Sequence, residues 1–121
     1  MNKETEIKIK NKKNAELFTD SFNNDNMILL VWADWCYYSN IYIPEWNKFK
    51  KSLTKKDLNK FKIFELKDNY KKKLNDNPVF SKVFESLRGF PTTFVIDKNG
   101  KITILPGNDI GTLKKIVKGF K

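Results

Sequence analysis

Three apolar segments have the pattern of β-strands in a buried sheet. Met27–Ala33 is apolar at every position without alternation, which is typical of a central strand covered on both faces. Ile7 and Ile9 alternate with charged residues and predict a short strand at the edge of the sheet. Phe61–Leu66 predicts a third strand, separated from the others by long amphipathic stretches.

Two further strands are predicted near the C-terminus, where apolar runs flank a tight turn. Thr92–Ile96 and Lys101–Leu105 are joined by the turn Asp97-Lys98-Asn99-Gly100. Asn-Gly between apolar runs is the strongest short-range signal of a β-hairpin, because both residues tolerate a positive φ. We therefore expect these two strands to pair antiparallel.

Four segments have apolar side chains at helical spacing and predict helices with one buried stripe each. Pro44 interrupts the second helix and predicts a kink, because its ring clashes with the carbonyl group of Asn40. Asn77-Pro78 begins the third helix, since asparagine is a good N-cap and proline suits the first helical position. The polar segment Lys67–Asp76 before it predicts a surface loop. The stripes consist of Ala15, Phe18 and Phe22; Tyr42, Trp46, Phe49 and Leu53; Val79, Phe80, Val83, Phe84 and Leu87; and Leu113, Ile116, Val117 and Phe120.

The predicted elements follow one another in the order β-α-β-α-β-α-β-β-α, with no internal repeat and no linker. Helices separate the first strands and a hairpin joins the last two. This order predicts an α/β fold, a mixed sheet of about five strands flanked by about four helices on both faces. At 121 residues the chain has room for one hydrophobic core, so we expect a single domain over residues 1–121.

The net charge of +10 raises the question of a nucleic-acid partner. Of the 24 basic residues, however, only Arg88 is an arginine, and arginine is best suited to bidentate contacts with phosphates and bases. The lysines occur throughout the chain rather than in one block. We interpret them as a solvated surface that favours acidic partners, and we expect no specific nucleic-acid binding.

Two absences from the sequence exclude whole classes of site. The chain has no histidine, which excludes Ser-His-Asp and Cys-His catalysis and His-ligated metals. Its one cysteine excludes an intrachain disulfide and a cysteine-rich zinc site, and we expect neither metal nor cofactor. No apolar run approaches the roughly 18 residues of a membrane helix. The charged N-terminus lacks the apolar stretch of a secretory signal, so we expect a cytoplasmic monomer without membrane contact.

The residue best placed to carry chemistry is Cys36, where the predicted central strand turns into the second helix. In the first turn of a helix, unpaired backbone N–H groups and the helix dipole favour a thiolate over a thiol. Such placement lowers a thiol pKa from about 8.5 towards about 7 or below. The alternative is an inert, half-buried cysteine.

The sequence around this cysteine resembles the thioredoxin superfamily. Trp32-Ala33-Asp34-Trp35-Cys36 is similar to the W-A-x-W-C segment that leads into the family's active site. Pro44 stands where thioredoxins have a helix-kinking proline, and Pro44-Glu45-Trp46 is similar to protein disulfide isomerase domains. Gly89-Phe90-Pro91-Thr92-Thr93-Phe94 resembles the family's cis-proline loop, which is followed by the expected hairpin, Gly107 and a terminal helix. The resemblance covers nearly the whole chain.

This resemblance implies a thiol–disulfide exchange site. It implies that the Phe90–Pro91 bond is cis, that the loop lies against the cysteine, and that the backbone beside it pairs with a substrate chain. The alternatives are an ordinary trans proline that opens a strand, and a core-packing role for Trp35. We assign catalysis to Cys36 and Ser39, and substrate binding to Trp35, Tyr37, Tyr38, Phe90 and Pro91.

The departures from the family pattern concern the chemistry. The family's second cysteine is Ser39 here, and Leu30 stands where thioredoxins have a buried acid that assists proton transfer. Tyr37 and Tyr38 replace a small or histidine-containing pair and add bulk beside the sulfur. The chain between the cysteine and the loop is longer than in compact thioredoxins, which we interpret as an insertion around Lys67–Asn77.

A site with one thiol can attack a disulfide but cannot release itself, because Ser39 has no sulfur for the second step. Its hydroxyl can instead hydrogen-bond the Cys36 thiolate. A substrate thiol must then clear the mixed disulfide, which gives isomerisation or substrate retention, or glutathione must do so, as in monothiol glutaredoxins. Those proteins also have Cys-x-x-Ser, and Gly107-Asn108-Asp109 resembles their glutathione-binding segment. Trp35 and Pro44, however, favour the thioredoxin side.

Three functions are consistent with these residues. The first is thiol–disulfide exchange through Cys36, as an oxidoreductase or isomerase acting on protein thiols and disulfides. The second is a redox-inactive module that binds proteins in the groove near Trp35 and Pro91. The third is a dithiol thioredoxin whose second cysteine has been replaced by Ser39. The sequence leaves all three open.

Overall fold

The computed structural model describes residues 6–106 and 110–119. These residues form one five-stranded sheet with apolar clusters and helices on both faces. The strand predictions are confirmed, with ends that differ by about one residue. The strands are β1 (Glu6–Lys8), β2 (Asn26–Trp32), β3 (Phe61–Lys67), β4 (Thr92–Ile96) and β5 (Ile102–Pro106).

The described residues contain six α-helices rather than the four predicted. They are α1 (Lys12–Ser21), α2 (Tyr37–Ser52), α3 (Lys55–Lys60), α4 (Asp68–Lys71), α5 (Pro78–Phe84) and α6 (Ile110–Gly119). The long helices α1, α2 and α6 and the shorter α5 correspond to the predicted four. The additional helices, α3 and α4, are single turns that carry too few apolar residues to show a stripe.

The prediction of a surface loop over Lys67–Asp76 is wrong. The segment forms α4 and then a 3₁₀ helix at Lys72–Leu74. Leu74 is buried in the core, and Tyr70 packs against the same cluster. Their four-residue spacing places both side chains on one side of a helical turn, which anchors this lysine-rich segment to the protein.

The sheet has the order β1-β3-β2-β4-β5, which places β2 at its centre. Strands β1 and β2 both run parallel to β3, whereas β4 is antiparallel to β2 and β5 is antiparallel to β4. The start of β4 therefore lies beside the end of β2, with Thr92 opposite Val31. As a result, the residues that follow β2 and those that precede β4 meet at the same end of the sheet.

Both faces of the sheet are covered by aromatic side chains. Phe18 of α1 contacts Phe64 edge-to-face at 5.0 Å and stacks on Phe80 of α5 at 4.7 Å between ring centroids. On the opposite face, Trp46 of α2 is fully buried in the second cluster. Every side chain of residues 27–31 is fully buried between these layers, as the unbroken apolar run predicts.

Some predicted core residues are only partly buried, and others lie outside the described part of the chain. The following stripe residues are only partly buried: Leu53, Val79, Phe84, Leu87 and Ile116. Pro44 lies inside α2, and the helix continues past it to Ser52. Phe120 and the segment Gly107-Asn108-Asp109 lie outside the described residues.

The N-terminus of α5 gives a direct test of the predicted cap. The Asn77 side chain accepts hydrogen bonds from the N–H groups of Val79 and Phe80, at 2.9 and 3.2 Å. We expect Asn77→Ala to lower the free energy of unfolding by about 1 kcal/mol, because both N–H groups lose their acceptor. Urea unfolding followed by circular dichroism measures the change.

The matched control is Asn75→Ala, at an exposed position two residues earlier. We expect this variant to unfold within about 0.5 kcal/mol of the parent chain, as surface substitutions usually do. Equal unfolding midpoints for the two variants would show that the Asn77 cap does not stabilise α5.

Candidate active site around Cys36

The end of β2 positions Cys36 at the N-terminus of α2. Cys36 is the N-cap residue, with extended backbone angles φ −95° and ψ 124°, and Tyr37 is the first helical residue. Its N–H donates to the Ala33 carbonyl at 3.1 Å, and its carbonyl accepts from the Asn40 N–H at 3.1 Å. These bonds close the turn between strand and helix, so the half-buried side chain faces the unpaired N–H groups of the first turn.

Those N–H groups lower the pKa of the Cys36 thiol. The backbone N–H of Ser39 has the largest effect, burial opposes it by raising the pKa, and the Tyr38 N–H and the Ser39 hydroxyl lower it further. As a thiol, Cys36 makes no capping hydrogen bond; these donors act on the thiolate, because a negative sulfur is the stronger acceptor. The site therefore favours the nucleophilic form of the cysteine.

Ser39 is fully buried, and its hydroxyl group acts on both the end of β2 and the pKa of Cys36. The oxygen accepts a hydrogen bond from the buried N–H of Ala33 at 3.2 Å, and the hydroxyl also stabilises the Cys36 sulfur. Ser39 therefore connects the end of β2 to the sulfur. The sequence predicts the bond to the thiolate but does not reveal the bond to Ala33.

The loop before β4 forms the other wall of the site. The Cys36 thiol donates to the Phe90 carbonyl at 3.4 Å, and the Phe90–Pro91 peptide bond is cis, the configuration that the resemblance implies. The Thr92 hydroxyl donates to the Gly89 carbonyl at 2.8 Å and closes the loop. Pro91 itself is buried, so it is the backbone around it that borders the sulfur.

Three aromatic side chains next to the sulfur are exposed. Trp35, Tyr37 and Tyr38 are 68%, 71% and 68% accessible to solvent, so they do not belong to the core. Tyr37 and Tyr38 contact one another edge-to-face at 5.5 Å between ring centroids. Exposed aromatic side chains are typical of protein-binding surfaces, because they bury a large apolar area at a low cost in side-chain entropy.

Trp35 is held from both sides although it is exposed. Its ring lies edge-to-face against Phe90 at 5.6 Å between centroids, and its indole N–H donates to the Asp68 carboxylate at 2.6 Å. Asp68 is the first residue of α4, in the segment for which the sequence predicts a loop, and it is not among the predicted site residues. The only feature of the sequence that could have indicated its role is an acidic residue at the start of a lysine-rich segment.

Beneath the site, Leu30 is fully buried and lies opposite Glu65 in the neighbouring strand β3. The Glu65 carboxylate accepts a hydrogen bond from the Trp46 indole at 3.0 Å and forms an ion pair with Lys50. An acidic residue is therefore present beside Leu30, but it belongs to β3 and not to β2. Two side chains of α2 bind its carboxylate. Sequence analysis missed Glu65, because only the register between β2 and β3 brings it beside Leu30.

The structure places all seven predicted site residues at one end of the sheet, on the turn after β2 and the loop before β4. Within residues 6–106 and 110–119, no three acidic or cysteine side chains are grouped so as to hold a metal ion. In the same part of the chain, no helix has the length and apolar character needed to span a membrane.

Solved structures of thioredoxins share the fold of this chain. A Malassezia sympodialis thioredoxin (Mala s 13) is 15% identical, with a TM-score of 0.68, over 93% of this chain and 87% of that one. Reduced Schistosoma mansoni thioredoxin pre-protein is 17% identical, with a TM-score of 0.64, over 96% and 98%. Oxidised mitochondrial thioredoxin 3 of Saccharomyces cerevisiae is 17% identical, with a TM-score of 0.60, over 88% and 89%. No protein-family model and no curated protein matches the sequence.

The donors around Cys36 predict its alkylation behaviour. Because they lower the pKa of the folded thiol, we expect the alkylation rate to reach half its maximum below about pH 8.5, the value of a free thiol. Ser39→Ala removes one donor and should raise the pH of this midpoint. The midpoint should still lie below the value of a free thiol, since the backbone N–H groups remain. Iodoacetamide alkylation from about pH 5 to 10 brackets the free-thiol value.

The same chain unfolded in urea is the control, because Cys36 is the only thiol in either state. Ser39→Ala should also lower the free energy of unfolding by about 1–3 kcal/mol, since the buried Ala33 N–H loses its acceptor. If the alkylation midpoint of the folded chain lies at the same pH as that of the unfolded chain, or at a higher pH, the result would contradict the lowered pKa.

Proposed function

We propose that this chain, which has the thioredoxin fold, carries out thiol–disulfide exchange with Cys36 as its single nucleophile. The observation that carries the proposal is the placement of the Cys36 sulfur. It is partly exposed at the N-terminus of α2, its pKa is lowered, and it lies 3.4 Å from the Phe90 carbonyl. A structural cysteine in apolar surroundings would instead be inaccessible and have a raised pKa. The proposal takes residues 1–121 as one domain that acts as a monomer.

The reaction begins with attack by the Cys36 thiolate on a disulfide of the partner. A bond forms between Cys36 and one partner sulfur, the partner's own S–S bond breaks, and the second partner sulfur leaves as a thiolate. Two electrons pass from the Cys36 thiolate into the new bond and two leave with the departing sulfur, so no further oxidant or reductant is required. Leu30 cannot accept a proton and the Glu65 carboxylate is bound by Trp46 and Lys50, so in this proposal the proton lost by the partly exposed Cys36 goes to solvent.

Ser39 stabilises the attacking thiolate but cannot clear the product. Release of Cys36 therefore needs a thiol from outside the chain. A second thiol of the substrate gives a rearranged disulfide, which is isomerisation, whereas glutathione gives a glutathionylated partner and a cycle that depends on a small thiol. The partners of this reaction are protein thiols and disulfides, with glutathione as the small thiol.

The residues around the sulfur fit a protein partner. The exposed rings of Trp35, Tyr37 and Tyr38 offer an apolar surface on one side of Cys36. On the other side, the backbone at Phe90 and Pro91 borders the sulfur, and in this proposal it pairs with an extended substrate segment. The bond between Trp35 and Asp68 orients the tryptophan before a partner arrives, which reduces the entropy lost on binding.

The same exposed rings favour a second candidate, a redox-inactive module that binds proteins at this surface. Tyr37 and Tyr38 stand directly beside the sulfur, with 71% and 68% of their surface accessible, and their bulk restricts access to Cys36. In this function the groove binds a partner without covalent chemistry. Two results together would favour the module: alkylation of Cys36 only at a pH far above the pKa of a free thiol, and binding of a partner by Cys36→Ala.

The single thiol predicts a limit on turnover. With a disulfide-bonded protein and no small thiol, we expect at most about one turnover per chain, because the mixed disulfide has no internal thiol to displace it. Glutathione should permit slow turnover. Ser39→Cys, with a reductant that recharges the site, should give multiple turnovers, since it supplies the missing thiol. Released substrate thiols and intact protein mass measure these outcomes.

The control is Cys36→Ala, which should form no mixed disulfide and release no substrate thiol. Repeated net reduction of the substrate by the parent chain, with more than about one disulfide reduced per chain and no added thiol, would contradict the monothiol mechanism. Failure of Cys36 to form any mixed disulfide would remove thiol–disulfide exchange altogether and leave the binding module.

A further inference from the structure

A cavity of about 450 Å³ lies next to the Cys36 site, at the C-terminal ends of the parallel strands. Its wall includes Lys8 and Lys10 at the end of β1, Trp32 at the end of β2, Lys67 at the end of β3, and Tyr70 and Lys73 from the segment that follows. The C-terminal ends of parallel strands are a common place for ligands, because the loops there diverge. None of these residues is assigned to the proposed reaction.

Lysine ammonium groups dominate the charge of this cavity. Four lysines line it, and among the described residues of its lining only Glu65 is acidic. The Glu65 carboxylate is already bound by Lys50 and by the Trp46 indole. Of the lysines, Lys67 pairs with the exposed carboxylate of Asp34 at 3.6 Å, while Lys8 and Lys10 extend into solvent. The cavity therefore has an excess of positive charge and suits an anionic group.

Direct contacts connect the lysine-lined cavity to the active site. The Lys67 ammonium lies over the Trp32 ring at 4.9 Å, and Trp32 leads into the turn that contains Cys36. Helix α4 contributes Tyr70 to the cavity and Asp68 to the Trp35 indole. A partner joined to Cys36 and resting on Trp35 would therefore meet the lysines on the β3 side of the site.

We propose that the lysine-lined cavity binds carboxylate groups of the disulfide partner, and so selects partners with acidic residues near the reacting cysteine. The inference rests on the proposed function, because it assigns the partner class of the same thiol. The segment around Lys67–Asn77, which we interpret as an insertion relative to compact thioredoxins, forms one wall of the cavity. The carboxylate belongs to an acidic side chain of a protein partner or to glutathione.

The test compares the rate at which Cys36 forms a mixed disulfide with two peptides. Both carry the same disulfide, flanked in one by glutamates and in the other by glutamines; glutathione disulfide is a third substrate. The cavity variant is Lys8→Gln with Lys10→Gln, which leaves Cys36 and its hydrogen-bond donors intact. The control is Lys98→Gln with Lys101→Gln, exposed lysines of the β4–β5 hairpin, with the same change in net charge. That hairpin lies at the opposite end of the sheet, since the Lys98 N–H donates to Asn26 at the start of β2.

We expect the parent chain and the hairpin control to react about threefold or more faster with the glutamate peptide, as expected for two or more solvent-screened ion pairs. The cavity variant, which keeps only Lys67 and Lys73 of the four lysines, should lose most of this preference while its rate with the glutamine peptide is unchanged. If the cavity variant also reacts more slowly with glutathione disulfide, the cavity binds the carboxylates of glutathione as well. If its rate with glutathione disulfide is unchanged, the cavity binds acidic side chains of proteins alone. Either result supports the cavity.

Two outcomes would overturn the inference and leave thiol–disulfide exchange intact. The first is equal rates of the parent chain with the two peptides. The second is an equal loss of preference in the cavity variant and the hairpin control, which would show that net charge alone is responsible. Absence of reaction with all three substrates would instead remove the proposed function.

Discussion

The antiparallel pairing of β4 with the central strand β2 is the constraint on which the site depends. This register sets Val31 opposite Thr92, so the turn after β2 and the loop before β4 meet and the Cys36 sulfur comes within 3.4 Å of the Phe90 carbonyl. A shift of β4 by one residue would exchange its two faces, so that each of its buried side chains would enter the opposite apolar cluster. The fully buried run 27–31 and the buried strand β4 therefore fix the geometry of the site, to which β4 also contributes the Thr92 hydroxyl that closes the loop.

The serine at position 39 has a structural as well as a chemical role. Its buried oxygen accepts from the Ala33 N–H while its hydroxyl stabilises the Cys36 sulfur, so a single side chain links the end of β2 to the nucleophile. An apolar residue here would leave a buried N–H without an acceptor. In the proposed reaction, Ser39 would support formation of the thiolate but supply no second thiol, so release of Cys36 would depend on the partner or on a small thiol.

Sequence patterns predicted this fold well where the signal is local. The unbroken apolar run of β2, the Asn-Gly turn of the β4–β5 hairpin and the cap at Asn77 each involve neighbouring residues, and each is present in the structure. Helix α4 and the 3₁₀ helix that follows it were not predicted, because lysines surround their two anchoring residues, Tyr70 and Leu74. Asp68 and Glu65 were missed for another reason: their contacts with Trp35 and Trp46 join residues 33 and 19 positions apart, and only the folded sheet brings them together.

The two sides of Cys36 differ in the kind of selectivity that they can give. Apolar contact with the exposed rings of Trp35, Tyr37 and Tyr38 depends mainly on buried area, and many partner sequences can supply it. Charge on the β3 side discriminates more strongly, because lysines attract acidic groups and repel basic ones. Lysine is common throughout this chain, so position rather than abundance makes the cavity different. There the lysines lie beside Trp32 and α4, on the side of the site where the proposed partner would place its acidic residues.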